Sequence, residues 1–126
     1  MRYLLDSTVL IDHANRDVAA MRLMRGLIEN GHDLYTCDVV TCEALSKGEP
    51  DEIKHLETLL DALEYVSTSP LAARAAGSSR RTRYASGGKR ALGDALIAAV
   101  AIELRAVVVT RNSRDFERQG VSTLSY

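Results

Sequence analysis

Ala106-Val107-Val108-Val109-Thr110 decides the fold. Three consecutive β-branched residues without polar alternation describe a strand covered on both faces, as in a parallel sheet flanked by helices. A parallel neighbour requires a long crossover, usually a helix. The segment just upstream supplies one: Ala95-Leu96-Ile97-Ala98-Ala99-Val100-Ala101-Ile102 is apolar almost all round, as a central helix packed on several sides would be.

Working outward, the same alternation of strand and helix recurs. Tyr3-Leu4-Leu5 is a short apolar run that ends at Asp6-Ser7-Thr8, a strand end passing into a helix cap. Val18, Met21, Met24, Leu27 and Ile28 fall at helical spacing, and Asn30-Gly31 stops that helix. Leu34 to Cys37 reads as the next strand, after which Asp38 or Thr41 is expected to cap a short helix carrying Glu43. Helical periodicity resumes from Asp51 to Glu64 through Ile53, Leu56, Leu59, Leu60 and Leu63, followed by a short strand at Tyr65-Val66-Ser67. Pro70 opens a further helix running to about Tyr84, where Ser86-Gly87-Gly88 ends it, and Val121 to Leu124 forms a last edge strand. The expectation is a single α/β domain over residues 1–126, with a mostly parallel central sheet between helices in a three-layer α/β/α sandwich.

Composition agrees with this and excludes several classes. With 126 residues, 46% of them hydrophobic and 26% charged, the chain suits one ordinary globular domain rather than a disordered or collagen-like one. A formal net charge of −1 excludes a generally basic nucleic-acid coat, so any such binding needs a local patch or metal ions. Cys37 and Cys42 have no second ligand pair for zinc and read as reduced thiols. His13, His32 and His55 share no metal-ligand spacing and are assigned structural or surface roles. No run approaches the ~18 apolar residues of a membrane span, and no cleavage signal follows Met1-Arg2, so a cytoplasmic location is expected.

In an open α/β sheet the functional crevice lies beyond the carboxyl ends of the strands. Asp6 closes the first strand, and Asp115 follows the strand at 107–110 by five residues. Glu43 and Asp94 are expected in the first turns of their helices, where the dipole favours a carboxylate. Each acid alone has a plain structural explanation: a cap for Asp6 or Asp94, a solvated helix position for Glu43, a turn for Asp115. Together they describe something else. Clustered carboxylates raise each other's pKa unless a cation lies among them, and all-oxygen ligands suit magnesium or manganese. Such a site could generate hydroxide from bound water and hydrolyse a phosphodiester.

Upstream of Asp94 lies the densest basic cluster, Arg80, Arg81, Arg83, Lys89 and Arg90, beside Tyr84. On a nucleic acid these cations would offer contacts to backbone phosphates and Tyr84 a platform for an unpaired base, against the plain reading of a solvated helix end.

Tyr3-Leu4-Leu5-Asp6-Ser7-Thr8-Val9-Leu10-Ile11 resembles the opening motif of PIN domains, and Val109-Thr110-Arg111-Asn112-Ser113-Arg114-Asp115-Phe116 resembles their closing motif. Glu43 and Asp94-Ala95-Leu96-Ile97-Ala98-Ala99 fall between them in the family's order, so the resemblance covers essentially the whole chain. It implies a magnesium- or manganese-dependent ribonuclease, and the small stand-alone form resembles VapC-type toxins, which act on cellular RNA and are held inactive by a VapB-type antitoxin. By position, Asp6, Glu43, Asp94 and Asp115 would be the acidic metal-site residues, Asp6 and Asp94 foremost. Ser7, Thr110 and Asn112 would line the pocket. Some family members carry an acid where Asn112 stands, which leaves open whether one or two ions bind. Asp6-Ser7-Thr8 also departs from the usual order of the small polar residues, a swap of similar groups. Apolar residues on helices at 9–14 and 51–64 are expected to offer a groove for an antitoxin helix or a homodimer face, giving a homodimer or a toxin–antitoxin hetero-oligomer.

Two other readings compete. A phospho-acceptor receiver domain has similar length and an acidic, magnesium-binding pocket, but it needs an acidic pair after the first strand and a late Lys; here Ser7-Thr8 follows Asp6 and no Lys follows Lys89. A non-catalytic RNA-binding or regulatory PIN-like module would keep the fold without the activity.

Overall fold

Strand β4 (Val107–Val109) lies between β1 (Arg2–Leu5) and β5 (Thr123–Leu124) in a computed structural model that describes residues 1–126. On its other side β1 pairs with β2 (Asp33–Cys37), which pairs with β3 (Glu64–Val66). All four pairings are parallel, giving the order β3-β2-β1-β4-β5. Consecutive residues of the central strands are buried, so both faces are covered: Leu4, Leu5, Val108 and Val109 are each 0% exposed. Each such side chain contributes roughly 1.5–3 kcal/mol of transfer free energy, which makes the centre of the sheet the anchor of the fold.

The covering helices are α1 (Ser7–Ala14), α2 (Val18–Glu29), α3 (Asp38–Leu45), α4 (Pro50–Asp61), α5 (Pro70–Ala85), α6 (Leu92–Leu104) and α7 (Ser113–Glu117). Helix α6 is the central one expected, burying Ala95, Ile97, Ala98, Ala99, Val100 and Ala101. Its small alanines allow close approach of α5, whose Ala72 and Ala76 are also buried. Arg105 ends α6 in the left-handed conformation (φ 57°), its backbone N–H returning to Ile102. No helix is long and apolar enough to cross a membrane.

The structure corrects four expectations. Helix α3 begins at Asp38, directly after β2, with extended Cys37 as its cap residue and no side-chain cap. The Asp38 carboxylate instead receives the hydroxyl (2.7 Å) and N–H of Thr68 as well as the N–H of Val39 (3.1 Å), tying the chain after β3 to the end of β2. Glu43 therefore lies in the second half of α3, away from its N-terminus. Helix α7 was not anticipated and contains Asp115, for which a turn had been the plain structural alternative to a place in the acidic set. The expected docking faces are largely consumed by the core: Val9, Leu10 and Leu56 are fully buried, and Ile53, Leu59, Leu60 and Leu63 pack against them. The exposed large apolar residues lie elsewhere, including Val18, Ile28, Leu71, Leu92 and Ile102. Both cysteines are free, and burial pushes the Cys37 thiol up to about 11, which makes it inert.

Candidate active site

Chain order reverses between β1 and β4, and a crevice at such a reversal, beyond the carboxyl ends of the strands, is where open α/β sheets bind ligands. The register pairs Leu5 with Val109, so the next residues, Asp6 and Thr110, emerge side by side. The ladder continues one step further through Asp6 N–H to Val109 O at 3.0 Å.

Asp6 is only 3% exposed. It caps α1 by accepting from Ser7 N–H at 2.8 Å through Oδ1, while Oδ2 accepts from the hydroxyls of Thr110 (2.8 Å) and Thr8 (3.2 Å). Thr110 Oγ1 in turn accepts from Asn112 N–H at 2.9 Å, and Thr8 Oγ1 from Arg111 N–H at 3.1 Å. The segment after β4 is thus folded back onto the carboxylate at the end of β1. Burial outweighs these donors and raises the Asp6 pKa, so the ionised form is held at a cost. A carboxylate offers about four lone-pair positions, and three donors leave roughly one for a ligand.

Two further acids share this electrostatic environment. Desolvation raises the Glu43 pKa, reinforced by the charges of Asp6 and Asp94; the Ser7 hydroxyl tempers both Glu43 and Asp6. Asp94, in the first turn of α6, is raised by desolvation and then by Asp6 and Asp115. The Glu43 carboxylate rests against Gly93, where a Cβ would lie 2.5 Å from Oε2. That close approach across α3 and α6 is available only because Gly93 has no side chain. The four predicted acids are thereby brought into one neighbourhood, although no three His, Cys, Asp or Glu side chains close into a ligand cage.

Around this neighbourhood the surface divides. Asp94 and Asp115 open into a polar cleft of about 120 Å³ shared with Arg83, Lys89, Arg90 and Arg118. Glu43 faces a separate, more apolar groove with Val39, Leu92 and Leu96. Thr110 is fully buried beside Asp6 and lines neither. Asn112 contributes its backbone N–H rather than its side-chain amide.

The basic cluster also divides. Arg80 donates to Arg90 O (3.1 Å) and Tyr84 OH (3.1 Å), with its guanidinium 5.6 Å from the Tyr84 ring centroid. One face of Tyr84 is accordingly taken by Arg80 rather than free for a base. Arg90 donates to both the carbonyl and the hydroxyl of Ser79. These two arginines staple the segment after α5 back onto it. Arg81 is exposed and lies outside the acidic cleft, whereas Arg118, absent from the expected cluster, lines it. A single cation at the end of a five-residue helix leaves no compositional signal.

A parallel sheet ordered 3-2-1-4-5 with acids gathered at its reversal defines a class, and the comparisons agree: residues 3–121 match the PIN domain family, to which the chain belongs. Within it, the chain is 34% identical over 115 residues to Ribonuclease VapC19 of Mycobacterium tuberculosis, covering 90% of each chain. Among solved structures it is similar to VapBC2 from Rickettsia felis bound to a promoter DNA fragment (TM-score 0.84, 22% identity, 100% of this chain and 99% of that one). It is also similar to the sarcin-ricin loop cleaving toxin VapC20 of M. tuberculosis (TM-score 0.71, 15% identity, covering 94% and 95%). At these identities the structural likeness speaks for the fold.

Proposed function

We propose that this PIN-domain protein is a divalent-metal-dependent endoribonuclease toxin of the VapC type, which hydrolyses phosphodiester bonds in cellular RNA and is neutralised by a cognate VapB-type antitoxin. The carrying observation is the meeting of Asp6, Glu43 and Asp94 at the sheet reversal, each with a raised pKa. The likeness to a curated ribonuclease over 90% of the chain supports it.

The donor set fits magnesium or manganese: every candidate ligand is a carboxylate oxygen, and the mutual repulsion is of the kind a hard dication relieves. Asp6 and Asp94 would hold the ion, with Glu43 and Asp115 completing the acidic set. When bound, the ion would supply hydroxide from water near neutral pH and offset charge on the phosphate. The chain's own contribution is preorganisation. Thr110, Thr8 and the Ser7 N–H fix the Asp6 carboxylate on both oxygens, and Gly93 sets Glu43 against the start of α6.

The test is cleavage of total cellular RNA by the purified, antitoxin-free chain with magnesium, manganese or EDTA, beside Asp94→Ala. Cleavage that needs the metal and disappears in the variant is expected, with cognate antitoxin suppressing it. A folded protein that cleaves nothing with either metal would instead be the non-catalytic, RNA-binding or regulatory kind of PIN module.

A further inference from the structure

The acidic cleft has a basic wall that the four-acid chemistry leaves unused. Its cations are not equivalent. Arg90 is committed to Ser79, as Arg80 behind it is to Tyr84 and to the Arg90 carbonyl. Arg83 and Lys89 line the cleft and enter neither of the chain's two ion pairs, Arg111–Asp12 and Arg118–Asp115. The second of these is loose, at 3.9 Å between side chains that are each 57% exposed. Four cations share the cleft with only Asp94 and the loosely held Asp115 as counter-charges, and such an excess attracts an anion from solution.

The loop beneath Arg83 is shaped for it. Gly87 takes a positive φ of 84°, so its glycine serves the turn. Gly88 has no such conformational need. A Cβ on Gly88 would fall within the Arg83 guanidinium, 2.7 Å from Nη1, so the missing side chain is what lets the guanidinium lie over the loop at the edge of the cleft.

We propose that Arg83, Lys89 and Arg118 form a phosphate site on the rim of the acidic cleft, which takes a backbone phosphate of the RNA next to the one cleaved, with Gly88 positioning Arg83. The assignment rests on the nuclease reading. The neighbouring phosphate is the better match because the cleft that holds these cations includes Asp94 and Asp115 but neither Asp6 nor Glu43, which puts the cations to one side of the acidic set rather than at its centre. Phosphate contacts of this kind set the register of a strand without reading its sequence.

The test is binding of a fluorescein-labelled oligouridylate in EDTA across a salt series, with RNA cleavage in manganese measured in parallel. Arg83→Gln and Arg118→Gln should each weaken binding roughly three- to tenfold near 0.1 M salt and reduce the salt slope by about one. Gly88→Ala keeps every charge and should weaken binding in the same direction by a smaller factor, because it displaces Arg83 alone. Arg25→Gln, on the exposed surface of α2, removes one cation elsewhere and should leave binding unchanged. Losses in Arg83→Gln and Arg118→Gln no greater than in Arg25→Gln would overturn the site, as would a wild-type chain that does not bind the probe. A Gly88→Ala chain binding as wild type would overturn the positioning role. Wild type that binds but cleaves nothing counts against the nuclease reading, while the variants' affinities still decide the phosphate site.

Discussion

Asp6 and Asp115 belong to one acidic neighbourhood, yet the chain treats them oppositely. Asp6 is 3% exposed and its oxygens take three donors, whereas the Asp115 side chain is 57% exposed and meets only Arg118, at 3.9 Å. A buried carboxylate with fixed partners stays in place when charge builds up around it; an exposed one can swing. The site thus has a rigid floor, where β1 and β4 end, and an adjustable rim on α7.

The sharpest way to break that contrast is to neutralise each acid in turn. Asp6→Asn should lower the initial rate of RNA cleavage by at least about a hundredfold, since several kcal/mol of charge stabilisation depend on a ligand in that position. Asp115→Asn should cost only about tenfold, or roughly 1.4 kcal/mol. Equal losses would mean that burial does not rank the acids.

A smaller effect concerns stability. The Asp94 carboxyl is raised above its ordinary value, so the folded state holds its proton more tightly than the unfolded chain does. Its favourable contribution is complete below the unfolded value of 3.8 and is lost as the pH rises through the higher folded value. At pH 7 in EDTA, Asp94→Asn should therefore raise the thermal midpoint, by about 2–5 °C, while removing activity. A midpoint that falls would show that the carboxylate is not under strain.

The smallest effect has the opposite sign. His13 Nδ1 lies 3.1 Å from His55 Nε2, across α1 and α4, with Asp51 and Lys54 lining the same surface hollow. Desolvation and then His55 lower the His13 pKa, so its contribution to stability is present above the unfolded value of 6.5 and is lost as the pH falls below it. His13→Gln should flatten that acid-side loss by about 1 °C in a pH series of thermal midpoints. An unchanged slope would indicate that Asp51 already compensates the charge.

Much of this was legible because it is written locally. Three valines in a row announced β4, and the apolar run after Asp94 announced α6, since burial on every side leaves no polar stripe. Asp6 was legible as both a strand end and a cap, and it is both. What escaped depends on distance in space. Glu43 was misplaced by half a helix because α3 follows β2 without a loop or side-chain cap, which left Asp38, its actual first residue, and Thr41 as competing starts. Helix α7 is five residues long, too short for a periodicity. The division of the basic cluster into staples and free cations follows from the partners each guanidinium finds, which composition does not record. The histidine contact joins residues 42 apart in the chain.

The bond between Thr110 and Asp6 spans 104 residues. A ribosome adding about 5–20 residues per second takes roughly 5–20 s to cover that interval. During that time the nascent chain carries Asp6, then Glu43 and later Asp94, but β1 has no β4 beside it and the corner around Asp6 cannot close. A chain stopped before β4 would carry at most three of the four acids and no closed corner around Asp6, so on the nuclease reading proposed above the capacity to cut RNA has to wait until β4 has been made.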